Sequence, residues 1–216
     1  MTGFTIRPEH QISNAKALRA LYPATHDLAS RKSLSKLDKH ARDFIARSPF
    51  LCLGTQDRDG CADVSPRGDP VGFVQVLDDQ TIAIPDRPGN NRLDSLANIV
   101  DNPNVGVLFI IPGYDDTLRL NGQASLVTDP GLLDRMKVHD RAPRLAIVVK
   151  VTEVFMHCAK AFRRSHLWDP TQFQDRSVMP SLMQIMLDQT DGAPQDADTM
   201  KAIDDDLEER YKSSMY

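Results

Sequence analysis

A chain of 216 residues, 41% hydrophobic and 26% charged, can build one substantial core with appended helices, as ordinary soluble globular proteins do. Its formal net charge of −4 argues against non-specific binding to duplex nucleic acid, so any anion site must be local. No apolar run approaches the roughly 20 residues of a membrane helix, and the first residues lack the basic and apolar regions of a secretory signal, so the expected location is cytoplasmic and no membrane partner is expected.

Residues 8–22, "PEHQISNAKALRALY", carry helical spacing at Ile12, Ala15, Leu18 and Leu21 and end at a proline, Pro23. A second helix is expected over 33–47, with Ser33 as its cap and Leu34, Leu37, Ala41, Phe44 and Ile45 as its apolar stripe. From Phe50 the period changes to that of strands. "FLCLGTQDRDGCADVSPRGD" is a hairpin in which Asp59-Gly60 supplies the positive-φ positions, and "VGFVQVLDDQTIAIPD" repeats the pattern with Asp78-Asp79 at its turn.

"NRLDSLANIVDN", residues 91–102, returns to helical spacing through Leu93, Leu96, Ala97, Ile99 and Val100, and Pro103 stops it. "NVGVLFIIPG" follows as a buried strand, "TLRLNGQASLVT" alternates, and "RLAIVVKVTEVFMHC" is a long strand rich in Val and Ile. About six strands joined by tight turns, without βαβ alternation, favour a closed antiparallel barrel over a doubly wound sheet. The expected organisation is one domain: a helical extension over 1–47, a barrel over 48–175 and a helical tail over 176–216. In the tail, Met179, Met183 and Met186 suit a packing or dimer face.

The stretch "PDRPGNNRLDSL", residues 85–96, carries the chemistry. The chain leaves a strand at Pro85, turns through Pro88-Gly89 and enters a helix near Asn90 or Asn91, whose first amides have no partners inside the helix. Arg87 and Arg92 flank that end, and guanidinium forks match phosphate oxygens, so a phosphate monoester at a helix start fits this composition. An ordinary cap with solvent-exposed ion pairs fits it too. Upstream, Asp63, Ser65 and Arg67 share one face of a strand, and Arg67 has Asp63 or Asp69 as alternative partners.

The three cysteines, Cys52, Cys61 and Cys158, form no CxxC pair, and His157 beside Cys158 lacks a second ligand pair, so neither a disulfide nor a metal is expected. The block "CAKAFRRSHLWDP" gathers Lys160, Arg163, Arg164, His166 and Trp168. It reads either as a ligand-bordering segment or as a basic turn anchored by Trp168. No GxGxxG fingerprint occurs, so a nicotinamide dinucleotide has no Rossmann unit to occupy.

The order of elements, with "NNR" (90–92), "NP" (102–103) and "VGVLF" (105–109), resembles the pyridoxamine 5'-phosphate oxidase-like FMN-binding split-barrel superfamily. "SPRGDPVGFVQVLDDQTIAIPDRPGNNRLDSL", "LRLNGQASL" and "HCAKAFRRSHLWDP" look closer to a bacterial subgroup of FMN-dependent proteins within it, the likeness covering about residues 33–175. The resemblance implies a mainly β (α+β) fold, a six-stranded antiparallel Greek-key split barrel with flanking helices. It also implies a homodimer with FMN at the interface. Ser65, Pro66 and Arg67 are then expected along the ring and ribityl chain, Arg87, Asn90, Asn91 and Arg92 around the phosphate, and Arg119 and Asn121 reaching the flavin from the barrel. Lys160, Arg163 and Trp168 are expected at its border. Arg92 stands where the family has lysine.

The function so implied is that of an FMN-dependent oxidoreductase acting on a small organic substrate. The alternatives are a non-catalytic FMN-binding or storage protein and a split barrel that uses deazaflavin or heme.

Overall fold

A computed structural model describes residues 3–216. They form two compact units that meet between Ser33 and Leu34. The first unit holds a turn of 3-10 helix at Pro8–His10 and the helices α1 (Ala15–Ala20) and α2 (Asp27–Arg31). The helix expected over 8–22 is thus interrupted, because Asn14 adopts extended backbone and its side chain accepts from the amide of Ala17, starting a new helix there. None of these elements contains a buried residue.

The second unit opens with an extended segment rather than a helix. Leu34 exchanges backbone hydrogen bonds with Val154 at 3.0 and 2.8 Å, which holds residues 34–37 out of helical conformation. Asp38, not Ser33, then caps α3 (Lys39–Arg47) by accepting from the amide of Ala41 at 2.8 Å. Ala41, Phe44 and Ile45 bury the stripe that the spacing indicates.

Seven strands follow: β1 (Phe50–Gln56), β2 (Ala62–Gly68), β3 (Gln75–Val76), β4 (Thr81–Pro85), β5 (Asn104–Ile110), β6 (Thr117–Val127) and β7 (Ala146–His157). All pair antiparallel in the order β2-β1-β5-β6-β7-β4-β3. The count corrects the expected six. The strand expected before the Asp78-Asp79 turn is present as β3, but reduced to two residues because Pro70 to Phe73 turn, with Gly72 at φ +88°, before the chain can pair with β4. The ladder leaves β2 and β3 as edges, so the expected closure is not made by backbone pairing. The hairpin after β1 uses positive φ at Gly60 alone, Asp59 keeping ordinary backbone.

Between β4 and β5 lies α4 (Asp94–Asp101), and between β6 and β7 the short α5 (Pro130–Asp134). The main core takes alternate residues of the strands, among them Leu51, Leu53, Val107, Phe109, Leu120 and Val149, together with α3 and with Leu96 and Ile99 of α4. A smaller cluster seats Leu132, Leu133 and Met136 on Ala83 and Ala146, whose short side chains let α5 lie close to β4 and β7. At Asn121/Gly122 the β6–β7 register shifts. A β-carbon on Gly122 would collide with the carbonyl oxygen of Lys150, so the bulge demands glycine.

The chain ends with α6 (Lys160–Ser165), two 3-10 turns, α7 (Leu182–Asp188) and α8 (Ala197–Ser214). Among the described residues no helix is long and apolar enough to cross a membrane.

Candidate functional site

The site is built on β2, an edge strand, which is why a proline is tolerated at 66. Asp63, Ser65 and Arg67 alternate onto its half-buried face, opposite Thr55, Leu53 and Leu51 of β1. Helix α4 lies over that face through Ser95, only 4% exposed, whose hydroxyl sits 2.7 Å from Asp63 Oδ2 and 3.0 Å from Ser65 Oγ. A hydroxyl carries one proton, so Ser95 donates to the carboxylate and accepts from Ser65. Arg67 Nε donates to Ser65 Oγ at 3.3 Å, which makes one connected row from Arg67 to Asp63.

Neither Asp63 nor Asp69 is the ionic partner of Arg67. Its Nη1 donates to Asp86 Oδ1 at 2.6 Å, with both side chains 18% exposed. The next residue, Arg87, turns the other way. Its Nε donates to Asp69 Oδ2 at 2.5 Å and its Nη2 to the carbonyl of Met136 at 2.7 Å, with Asp69 1% and Arg87 14% exposed. Asp69 Oδ1 accepts from the phenol of Tyr216 at 2.7 Å, and this hydrogen bond, with burial second, raises the phenol above its ordinary pKa.

The helix start differs in detail from the expected one. Asn90 Oδ1 accepts from the amide of Arg92, Asn91 and Leu93 both take left-handed backbone (φ 58° and 64°), and α4 begins only at Asp94. Leucine is poorly suited to that conformation, which costs of order 1–3 kcal/mol and is typically kept where the surroundings need it. Leu93 supplies no side-chain acceptor, so neither asparagine caps the helix and its first-turn amides have no side-chain partner. Arg92, 73% exposed, donates from Nε to Asp94 Oδ2 at 2.8 Å, and that contact pushes its pKa further up, so it is a permanent cation.

Arg119 and Asn121 point to the opposite side of the sheet. The register aligns Pro66, Cys52, Leu108, Arg119 and Phe155 across five strands, with Val64, Gly54, Gly106, Asn121 and Glu153 as the next row. Arg119 stacks 5.6 Å from the Phe155 ring centre, and Asn121 Nδ2 donates to Glu153 Oε2 at 2.7 Å. The facing glycines 54 and 106 leave a shallow cavity of about 330 Å³ beside Asn121 and Thr152.

The late basic block sits elsewhere again, over the β5–β6 turn. Trp168 Nε1 donates to the carbonyl of Tyr114 at 3.0 Å, its ring lies 5.8 Å from that of Phe162, and Arg163 pairs with Asp115 at 3.0 Å. Lys160 opens α6. Among the described residues no group of three or more His, Cys, Asp or Glu is placed to hold a metal.

Within one chain, then, Ser65, Arg67, Asn90, Asn91 and Arg92 belong to β2 and the segment entering α4, Arg87 lies just behind them on Asp69, and Arg119, Asn121, Lys160, Arg163 and Trp168 lie elsewhere. Sequence reasoning missed Asp86 and Ser95. Both carried a signal, Asp86 as the carboxylate adjoining Arg87 and Ser95 as a hydroxyl next to the buried position Leu96.

The fold is an antiparallel α+β sheet with flanking helices, and comparison with known proteins specifies its family. A family model described as pyridoxamine 5'-phosphate oxidase matches residues 37–158, more than half of the chain, and the protein belongs to that family. No curated protein matches it. Among solved structures it is similar to HupZ of Group A Streptococcus (19% identity, 55% of this chain and 92% of that one, TM-score 0.44). It is also similar to an FMN-binding protein from Syntrophomonas wolfei (16%, 54% and 88%, 0.41) and to HutZ from Vibrio cholerae, described as a heme storage protein (14%, 56% and 94%, 0.38).

Proposed function

We propose that the protein binds FMN and uses it to oxidise or reduce a small organic substrate. The observation that carries this reading is the entry to α4. First-turn amides without a side-chain cap, two left-handed residues and the exposed Arg92 converge there, on the helix whose Ser95 contacts Asp63 and Ser65 of β2, in a chain of the pyridoxamine 5'-phosphate oxidase family.

The residues present fit a phosphate monoester. Arg92 and the α4 amides would take its oxygens, with Asn91 beside them, and the backbone of Ser65 to Arg67 would run along the rest of the molecule. Asp86 and Asp94 already pair with the two arginines, so the anion must compete with carboxylates. That competition sets an affinity below that of two unpaired guanidinium groups.

FMN, when bound, supplies the electron-accepting ring. The protein's own share is orientation and charge. Arg119, Lys160, Arg163 and Trp168 reach such a ring only if a second copy brings them there, which is the reason a homodimer with the cofactor at its interface belongs to this reading. A cation from that set beside the ring would favour negative charge on it.

The test is titration of purified protein with FMN, followed by flavin fluorescence, and then anaerobic addition of NADPH. Binding with bleaching of the visible flavin bands supports the oxidoreductase. Binding without bleaching by any donor leaves an FMN-binding or storage protein, and no binding overturns the cofactor assignment.

A further inference from the structure

The hydroxyl row between β2 and α4 has a direction. Ser95 carries one hydroxyl proton and has two oxygen neighbours, Asp63 Oδ2 at 2.7 Å and Ser65 Oγ at 3.0 Å. A carboxylate only accepts, so the Ser95 proton goes to Asp63 and the Ser65 proton points at Ser95. Arg67 Nε brings a further donor to Ser65 Oγ at 3.3 Å. With its proton committed and one lone pair engaged, Ser65 offers a ligand one acceptor position and no donor.

The row also lies at the entry to α4. Ser95 is the second residue of that helix, and besides the larger effect of Asp94 the charge of Asp63 acts on Arg92, raising its pKa. Ser65 is half-buried whereas Ser95 is buried, so of the two hydroxyls Ser65 is the one within reach of a ligand.

We propose that Ser65 is a specificity-determining residue that accepts a hydrogen bond from a hydroxyl on the chain attached to the bound phosphate, and that Ser95 and Asp63 are positioning residues that keep it an acceptor. The proposal rests on reading the α4 entry as a phosphate site whose ligand runs along β2. It narrows the class of ligand. A phosphorylated polyol, such as the ribityl phosphate of FMN, brings hydroxyl donors to this position, whereas a carboxylate brings lone pairs to a lone pair. Neither serine has a proton left for the phosphate, which is held by Arg92 and the helix amides.

The experiment measures dissociation constants for the full chain as wild type, Ser65→Ala and Ser95→Ala. The probes are FMN, its deoxy analogues at each secondary hydroxyl of the ribityl chain, and the matching deoxyfluoro analogues, in which fluorine accepts but cannot donate. Ribitol 5-phosphate with the same replacements is the ring-free set. In the wild type, replacement at one position is expected to weaken binding about five- to tenfold, by hydrogen and by fluorine alike. Ser65→Ala is expected to bring the three ligands of that position together. In Ser95→Ala the Ser65 proton is released and can turn to the fluorine, so the fluoro analogue regains affinity over the deoxy one. A general loosening of the site weakens all ligands alike and does not produce that change.

Deoxy analogues that all bind like FMN, fluoro analogues that match FMN where the deoxy ones are weakened, or a discrimination that survives in Ser65→Ala overturn the proposal and leave the flavin reading standing. A fluoro analogue that gains nothing in Ser95→Ala overturns the positioning role of Ser95 and Asp63. If FMN does not bind while ribitol 5-phosphate does and shows the expected pattern, the flavin reading fails and the proposal stands. If neither binds, both fall.

Discussion

Removing the carboxylate of Asp69 tests the buried pair behind the site. Asp69 is 1% exposed, one oxygen accepts from Arg87 Nε at 2.5 Å, and the other accepts from Tyr216 at 2.7 Å. In Asp69→Ala the guanidinium of Arg87, 14% exposed, keeps only its bond to Met136 and becomes a stranded charge. Breaking a buried pair in this way costs about 3–5 kcal/mol, far above what a solvent-screened surface pair such as Arg92–Asp94 contributes. Arg87→Ala strands Asp69 in turn, although its bond from Tyr216 offsets part of the loss. The double variant removes both charges, so its cost should fall short of the sum of the singles by at least about 1 kcal/mol. Urea unfolding at fixed protein concentration reads all three, with unchanged slopes checking that the denatured states are comparable. Singles that add to the double within about 0.5 kcal/mol would refute the coupling, and a cost below about 1 kcal/mol for Asp69→Ala would show that the pair is hydrated.

Gly122→Ala should destabilise by about 1–3 kcal/mol in the same assay, because the new β-carbon meets the Lys150 carbonyl and Val149 Cγ1 at 2.8 Å across the bulge. Arg92→Ala should weaken FMN binding by about 1.5–3 kcal/mol if its charge-assisted bonds to the phosphate are shielded, read as a roughly ten- to hundredfold rise in Kd; an unchanged Kd returns Arg92 to a surface ion pair with Asp94. The hydrogen bond to Asp69 raises the pKa of Tyr216, so the folded phenol holds its proton more tightly than the unfolded one. Its contribution is therefore fully present below the ordinary tyrosine value near 10 and is lost as pH rises through the higher folded value. Hydrogen exchange at 205–216, corrected for intrinsic rates, should show this alkaline loosening in the wild type and not in Tyr216→Phe.

The parts of the fold legible in the sequence are those where local period and tertiary burial agree. β1, β5, β6 and β7 alternate or run apolar and lie where their patterns put them, and α4 is stopped by the proline at 103. The errors fall where a backbone partner from far along the chain overrides local preference. Leu34 has the spacing of a helix but pairs with Val154, 120 positions away, and so the cap moves to Asp38. β3 has the apolar content of a strand, yet most of it is consumed by the turn at Gly72. The α5 segment "PGLLD" is too short for periodicity to reveal, although Asp129 caps it in the ordinary way.

The site divides along the same line. A Pro-Gly turn, paired asparagines and flanking arginines announce a helix entry with positive charge, because each of those residue types has a local conformational or chemical reason to be there. Which carboxylate meets which arginine is not local. Strand alternation places Arg67 on the face of Asp63, but the guanidinium reaches past Ser65 to Asp86, because the loop after β4 is delivered there by the β4–β7 pairing and by the bond from the Asp86 amide to Leu145. Asp69 looks equally available to Arg67 in the sequence and is instead buried under Arg87 and Tyr216, a residue 147 positions away. The cations were therefore readable and their neutralisation was not. The positive charge available at this helix entry depends on the second quantity as much as on the first, because the carboxylates at 69, 86 and 94 each already hold one of the three arginines.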